Sequence, residues 1–426
     1  MMLAISQVRQ LMLMGECILD SSLLIIGAGI EQVYAYDLGR KLGYKVIGTD
    51  ENPEAPAFRH ADYKIIASTR SHIDTLDAVK NSKHCDSIKG VLTLANDVPY
   101  TVAYVANHLG LPSISLETAS LSIDKFKMKC SFMKENVRTP TFKYCSSLED
   151  LTTFIEQEGF PSIIKPIDGR GSRGVVLIEE SIDLKWAYKH CLSQSSSKAI
   201  IIEKFVPGRQ ISTEGFILNG KLYNCAYADR NYDKLQNFKP FVLEDGGSLP
   251  AKITNTMKKE IDSQLVRAAL ALKLENGTIK GDIVIDKQNK IYVIEVATRL
   301  SGGFFCTDQI PATTGVDLVL QTILLAVGLP IKKDALVPKH RCFSEIRYWF
   351  PKKGKLSKIP KLEKIINEKN VLKADIFHGP NTRFDEISKH SDRLGFVIVT
   401  SQKGPNFARK QADDIINKYY SDFQFV

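Results

Sequence analysis

The chain has 426 residues, of which 44% are hydrophobic, 9% aromatic and 25% charged. Apolar residues are plentiful and Gly, Pro and Cys are near average usage, which excludes collagen-like, disordered and disulfide-scaffold proteins and leaves roughly two or three globular domains. The net charge of +9 belongs to one end: residues 331–426 carry 20 Lys/Arg against 11 Asp/Glu, and residues 1–330 carry 37 of each. These lysines are scattered rather than interleaved with stacking aromatics, so no nucleic-acid partner is expected.

Residues 1–22 hold a single positive charge, Arg9, and their apolar part is interrupted by Glu16, Cys17 and Asp20, which reads as a short helical extension and not a signal peptide. Leu23-Leu24-Ile25-Ile26 is a short continuous apolar run of the kind buried on both faces of a parallel sheet. Gly27-Ala28-Gly29 ends it, residues 31–42 read as an amphipathic helix, and residues 45–50 as a second strand. Further strands at 63–66 and 90–94 alternate with helices near 73–81 and 99–109, which predicts a doubly wound parallel-sheet α/β domain over residues 23–115. Gly-x-Gly with Asp50 about 20 residues further on is half of a dinucleotide fingerprint. Gln32 and Val33 stand where its third glycine belongs, so the turn reads instead as one that brings a helix N-terminus to the mouth of the sheet, where it favours an anion.

Beyond Ser115 the texture changes. Residues 115–117 and 147–150 are helix starts, the second a capping-box pattern with Ser147 three residues before Asp150. Residues 161–167 form a strand carrying Lys165, and Asp168-Gly169-Arg170-Gly171-Ser172-Arg173-Gly174 is a glycine-rich loop leading to another strand at 175–178. Flanked by strands, the loop is not a Walker-type P-loop, but its backbone N–H groups can fold over phosphates. Residues 199–203 are an apolar strand, and 211–218 and 221–228 read as a hairpin about Asn219-Gly220. The polar stretch 229–250 is too long for a default connector and is expected to be a substrate loop. A long amphipathic helix follows over 252–274. Strands at 279–286 and 290–296 then carry Asp282 and Glu295 toward one region. In the tail, strands are expected at 345–350 and 396–400 and a final helix at 405–420.

Eight cysteines are spread singly, without a Cys-x-x-Cys or Cys/His cluster, so neither a zinc site nor a disulfide framework is expected. A reducing, cytoplasmic setting is the simplest reading. No stretch reaches the roughly 18 apolar residues of a membrane helix.

Two lysines on separate elements, a glycine-rich cover between strands, an acidic strand end and two carboxylates on a hairpin together resemble the ATP-grasp superfamily. The likeness is to its carboxylate–amine ligases, of the L-amino acid ligase kind, and to its biotin carboxylase-like and carbamoyl-phosphate synthase-like relatives. It runs from about residue 23 to the C-terminus. Asp124-Lys125 matches the opening of the first ATP-grasp helix, Ile163-Ile164-Lys165-Pro166 the second lysine strand, residues 169–174 the flexible loop, and Glu203-Lys204-Phe205-Val206-Pro207-Gly208 the adenine hinge. The resemblance implies a two-lobed α+β domain over 116–330 with a lid at about 137–205, and a small α/β lobe over 331–426.

Residue by residue, the resemblance implies that Lys125 and Lys165 contact phosphate oxygens, with Lys165 also serving catalysis. Gly169, Gly171, Ser172 and Gly174 would cover the phosphates. Glu203 and the backbone of Lys204, Phe205 and Val206 would read adenine. Asp282 and Glu295 would hold Mg2+, or Mn2+ in its place, since that ion takes hard oxygen ligands together with phosphates. Arg299 would neutralise an acyl phosphate or a substrate carboxylate. Two positions depart from the family: Ala297 stands where an Asn would help a second metal, and Gln210 where an acid would hold ribose, so a weaker ribose contact is expected. Glu214 is left as a substrate or metal contact. The implied reaction transfers the ATP γ-phosphate to a carboxylate, and an amine then displaces phosphate from the acyl phosphate. Small-molecule acid and amine substrates are implied, no membrane partner, and a homodimer is compatible. Bicarbonate or formate as the acceptor, or a nucleotide-binding protein without activity, remain open alternatives.

Overall fold

The computed structural model of the chain describes residues 20–339 and 342–426. Residues 1–19 of the expected extension lie outside the described residues, and Ser22 already belongs to the first strand. Strands β1 (Ser22–Ile26), β2 (Lys45–Asp50), β3 (Tyr63–Ile66) and β4 (Ile88–Leu92) form a parallel sheet in the order β3-β2-β1-β4. All of β1 is buried, as its unbroken apolar run demands. The helix Leu318–Ala326 lies directly over β4, where a Cβ on Gly90 would stand 2.8 Å from Val327. The chain reverses direction across the sheet between β1 and β4, so the loops after these two strands open onto the crevice where ligands of such sheets bind.

The Gly-x-Gly turn is filled by the protein itself. Asp50 accepts the Ala28 N–H at 2.9 Å, and Gln32 bonds Thr93 and both main-chain groups of Leu94. Gln32 thus occupies the space beside Gly27 that a dinucleotide pyrophosphate would need.

The second sheet is antiparallel: β5 (Phe142–Cys145), β6 (Ser162–Pro166), β7 (Val176–Ile178) and β8 (Ile200–Lys204), in the order β5-β8-β6-β7. Helices Leu148–Glu158 and Leu184–Ser193 cover one face, burying Ile164, Ile200 and Ile202 against Leu151, Phe154 and Ala187. The Ser147 hydroxyl accepts the Asp150 N–H at 3.1 Å and caps the first of these helices, while the Asp150 carboxylate takes the N–H of Ser146 at 3.0 Å and not that of Ser147, so the expected capping box is only half formed. Strand alternation turns Lys165 and Glu203 to the opposite face.

The third sheet has eight strands in the order β13-β12-β9-β10-β11-β14-β18-β16. They are β9 (Gly208–Leu218), β10 (Lys221–Asn231), β11 (Gly246–Leu249), β12 (Gly277–Asp286), β13 (Ile291–Ala297), β14 (Phe343–Trp349), β16 (Val371–Ile376) and β18 (Gly395–Ser401). β15 (Gly354–Lys358) and β17 (Arg383–Phe384) form a separate small sheet with β19 (Gln424–Phe425). The β9–β10 hairpin turns on Asn219 and Gly220, both at positive φ, as an Asn-Gly turn requires. Residues 229–250 differ from the expected loop. They hold the end of β10, one helical turn at Leu235–Phe238, and β11, which joins β10 to β14. Glycine makes that seam: a Cβ on Gly246 would lie 2.4 Å from the Ile346 carbonyl. One apolar core runs from Leu23, Ile25 and Leu92 to Phe216, Ala226 and Ile323, and so ties the parallel sheet to the large one. Among the described residues, no single helix is long and apolar enough to cross a membrane.

Candidate functional site

A cavity of about 640 Å³ lies between the β5-β8-β6-β7 sheet, the large sheet and the mouth of the parallel sheet. It is lined by Lys125, Lys165, Gly169, Gly171, Ser172, Glu203, Lys204, Phe205, Val206, Gln210, Asp282, Glu295 and Arg299. Of the glycine-rich loop residues singled out in the sequence, Gly174 is the one set behind the wall. Its φ is +72°, and a Cβ there would stand 2.7 Å from Gln194 and 2.9 Å from Pro166, so this glycine serves packing.

The lysines are placed by local rules. Asp124 caps the helix Lys125–Lys134 by accepting the N–H groups of Phe126 and Lys127, which sets Lys125 at the first helical position. Its ammonium reaches the Gly169 carbonyl at 2.7 Å and Glu295 at 3.2 Å. One turn later, Lys129 points the same way. Glu203, 1% exposed, lies between Lys165 at 2.7 Å and Lys129 at 3.2 Å, and Lys129 also donates to Thr139 at 2.6 Å. Burial alone would raise the Glu203 pKa, but the two ammoniums outweigh it and hold the carboxylate below its ordinary range. Burial pulls Lys129 down to about 8 although Glu203 acts in the other direction.

The Lys204 side chain faces away from the cavity. Its ammonium bonds the carbonyls of Glu158, Gly159 and Phe160, at the C-terminal end of the helix Leu148–Glu158, a favourable place for a cation. Only its main chain belongs to the hinge.

Asp282 and Glu295 are cross-strand partners on β12 and β13. Asp282 is held by Lys280, two residues away on the same strand face, and by Arg230 at 2.9 Å. Burial pushes its pKa up, and these cations reverse that, leaving it well below the usual carboxylate range. Arg299 pairs with Asp97, which comes from the loop after β4, through Nε at 2.7 Å. Glu214 does not line the cavity. It is fully buried, accepts both the N–H and the hydroxyl of Ser301, the latter at 2.8 Å, and is raised to about 7 by burial. The expected substrate or metal contact at Glu214 is therefore corrected: this acid positions the chain after Arg299.

The glycine-rich loop is held at both ends. Asp168 bonds Ser195 at 3.0 Å and the Ser197 N–H at 2.8 Å, and at the tip Ser172 meets His390 Nε2 at 3.1 Å while the His390 N–H donates to the Gly171 carbonyl. Burial, with Arg393, Arg230 and Lys280 nearby, holds the His390 imidazole well below its ordinary pKa. Lys129, Asp97, Arg230, Lys280 and His390 were not read from the sequence. Lys129 and Lys280 carry a detectable signal in their spacing from Lys125 and Asp282, and Asp97 follows the C-terminal end of a parallel strand. Arg230 and His390 reach the site only through tertiary packing.

Residues 158–308 match the family model described as an ATP-grasp domain. The chain is 25% identical over 191 residues to the formate-dependent phosphoribosylglycinamide formyltransferase of Prochlorococcus marinus, covering 44% of this chain and 48% of that protein. It is 23% identical over 322 residues to the alanine–anticapsin ligase of Bacillus subtilis, covering 70% of this chain and 64% of that one. The chain thus spans about half to two thirds of the length of these curated relatives. In fold it is similar to an L-amino acid ligase from Bacillus licheniformis, with a TM-score of 0.78 at 19% identity, covering 95% of this chain and 98% of the other. It is also similar to a phosphoribosylglycinamide synthetase from Anaerococcus prevotii, with a TM-score of 0.70 at 18% identity, covering 95% and 99%. The ATP-grasp match thus covers residues 158–308, and the cavity just described is lined by residues of that stretch together with residues of the parallel-sheet region and the C-terminal strands.

Proposed function

We propose that the chain is an ADP-forming ligase that activates a carboxylate as an acyl phosphate with ATP and joins it to an amine. The observation that carries this reading is the convergence of Lys125, Lys165, Asp282, Glu295 and Arg299 on one cavity beneath a glycine-rich loop. Lys125 and Lys165 would neutralise phosphate oxygens, Glu203 would fix Lys165 in place, and Arg299 would stabilise charge on the acyl phosphate, so that catalysis rests on positioning and electrostatics. The donor set fits magnesium. Asp282 and Glu295 offer hard oxygens side by side, and among the described residues no cluster of three acidic, His or Cys ligands forms, which suits an ion that completes its shell with phosphates and water. Asp282 and Glu295 would hold the ion, which would supply positive charge against the phosphates. Closure of the loop would keep water from the acyl phosphate.

The test is a pairwise screen of amino acids and small carboxylates for ATP-dependent phosphate release with purified protein and magnesium. One ADP and one phosphate per amide formed is expected. No ADP from any pair would overturn the assignment.

His390→Ala tests the cover. Losing the Ser172 bond is expected to raise the apparent KM for ATP roughly 3–10-fold, the worth of one hydrogen bond, and to increase ATP hydrolysis uncoupled from amide formation. An unchanged KM and coupling ratio would show that the C-terminal segment does not hold the loop.

A further inference from the structure

Seven acids line the main cavity: Glu31, Asp97, Glu203, Asp229, Glu244, Asp282 and Glu295. Six have a cation within ion-pair distance: Asp97 has Arg299, Glu203 has Lys129 and Lys165, Asp229 has Arg209, Glu244 has Arg230 and Arg393, Asp282 has Lys280 and Arg230, and Glu295 has Lys125. Among the described residues Glu31 has none. Its carboxylate is nevertheless held firmly. It accepts the Gly303 N–H, with the Phe304 N–H beside it, in a turn where Gly303 and Phe304 have φ of +68° and +57°. Gly302 makes room for it, since a Cβ there would lie 2.8 Å from Glu31 Oε2. Burial raises the Glu31 pKa against the pull of these N–H groups and of Arg299 and Lys373. Lys373 is itself paired with Asp308, and the other titratable groups that feel Glu31 are Tyr348 and Cys306.

A carboxylate fixed at a cavity wall without a counter-ion is costly unless a cation arrives. The wall beside it is aromatic. Phe304 stacks on Phe396 with centroids 4.6 Å apart, Phe377 lies against the same ring, and the Tyr348 hydroxyl is 3.3 Å from the position of a Cβ on Gly303. Arg299 faces the cavity close enough to act on Glu31 but does not pair with it.

We propose that Glu31 is the specificity residue that receives the protonated amine of the carboxylate substrate, whose carboxylate lies toward Arg299 and whose apolar side chain lies against Phe377, the exposed ring of this aromatic wall. This rests on the ligase reading above and narrows its acid substrate to zwitterions with a large apolar group. Glu31 takes no part in bond making; it orients the acid and rejects analogues that lack the ammonium, because its buried charge would then stay unpaired.

The test measures binding to the full chain by calorimetry in the presence of a non-hydrolysable ATP analogue and magnesium. The probes are L-phenylalanine and L-leucine, with 3-phenylpropionate and 4-methylpentanoate as counterparts lacking the ammonium. The amino acids are expected to bind at least about tenfold tighter than their counterparts, the worth of a charge-assisted hydrogen bond. In Glu31→Gln, whose amide oxygen can still accept the Gly303 N–H, that preference is expected to shrink to within about twofold, and Glu31→Asp should restore part of it. Affinity for the ATP analogue serves as the fold check. Equal binding of both probe classes by the unmodified protein, binding of neither, or a preference that survives in Glu31→Gln would each overturn the role of Glu31 while leaving the nucleotide site standing. Failure to bind the ATP analogue would overturn the ligase reading and this inference with it.

Discussion

Glu295→Ala is expected to lower ATP-dependent phosphate release by roughly 10²–10³-fold, the scale of losing a preorganised electrostatic group, with little change in thermal midpoint. The two halves of this expectation have different causes. Glu295 retains 31% side-chain exposure, and among the described residues its ion pair is with Lys125 at 3.2 Å, so removing it forfeits a partly screened contact of modest worth. Lys125 keeps its bond to the Gly169 carbonyl and its place under the Asp124 cap, so the helix is not disturbed. What the variant loses is one of two adjacent oxygen donors, and Asp282 alone, already engaged by Lys280 and Arg230, would not hold magnesium against the triphosphate. Parallel measurement of ADP release and thermal unfolding separates the effects. Turnover within about tenfold of the unmodified protein would remove Glu295 from the proposed metal site, because losing one electrostatic contributor of this kind costs more than that.

The elements that could be read in the sequence are those whose physics is local. The apolar run of β1, the Asn219-Gly220 turn and the Ser147 cap depend on residues within a few positions of one another, and each is found where its pattern places it. Gly246-Gly247-Ser248-Leu249, the sequence of β11, has little strand propensity and by its local pattern is loop. It is a strand because Gly246 permits close approach of β14, nearly a hundred residues away in sequence. β16 was missed for a similar reason, since its Val-Leu-Lys-Ala-Asp-Ile sequence does not alternate cleanly and pairing with β18 selects the extended form. The candidate site divides the same way. Lys125, Lys165, Asp282 and Glu295 sit in recognisable strings, whereas the counter-ions that tune them arrive from other elements: Asp97 after β4, Arg230 on β10, His390 before β18. A string reveals which groups do chemistry, and packing reveals what holds their charge in place.

Glu203→Gln is expected to be the most destabilising single change in the cavity, by about 3–5 kcal/mol at pH 7, the scale of an unpaired buried charge. Glu203 lies between two ammoniums in a place closed to water, so its loss leaves Lys129 and Lys165 facing each other with no anion between them. The penalty should depend on pH in a direction that identifies its source. The Lys129 pKa is already lowered from 10.5 to about 8. Its contribution to stability is therefore present in full above the unfolded value of 10.5 and is lost as pH falls through about 8. Removing Glu203 takes away the group that opposes this fall, so the folded-state pKa drops further and neutral Lys129 becomes the favoured form at a lower pH. Glu203→Gln should accordingly regain stability relative to the unmodified protein as pH is raised from 6 toward 8, read from urea midpoints. In Lys129→Met/Glu203→Gln that regain should vanish and most of the loss at pH 7 should be recovered, because the buried ammonium is gone and Lys165 keeps its opening to the cavity. A Glu203→Gln penalty that persists unchanged in the double variant would mean that Glu203 supports the β5-β8-β6-β7 sheet through packing and not through the charge of Lys129.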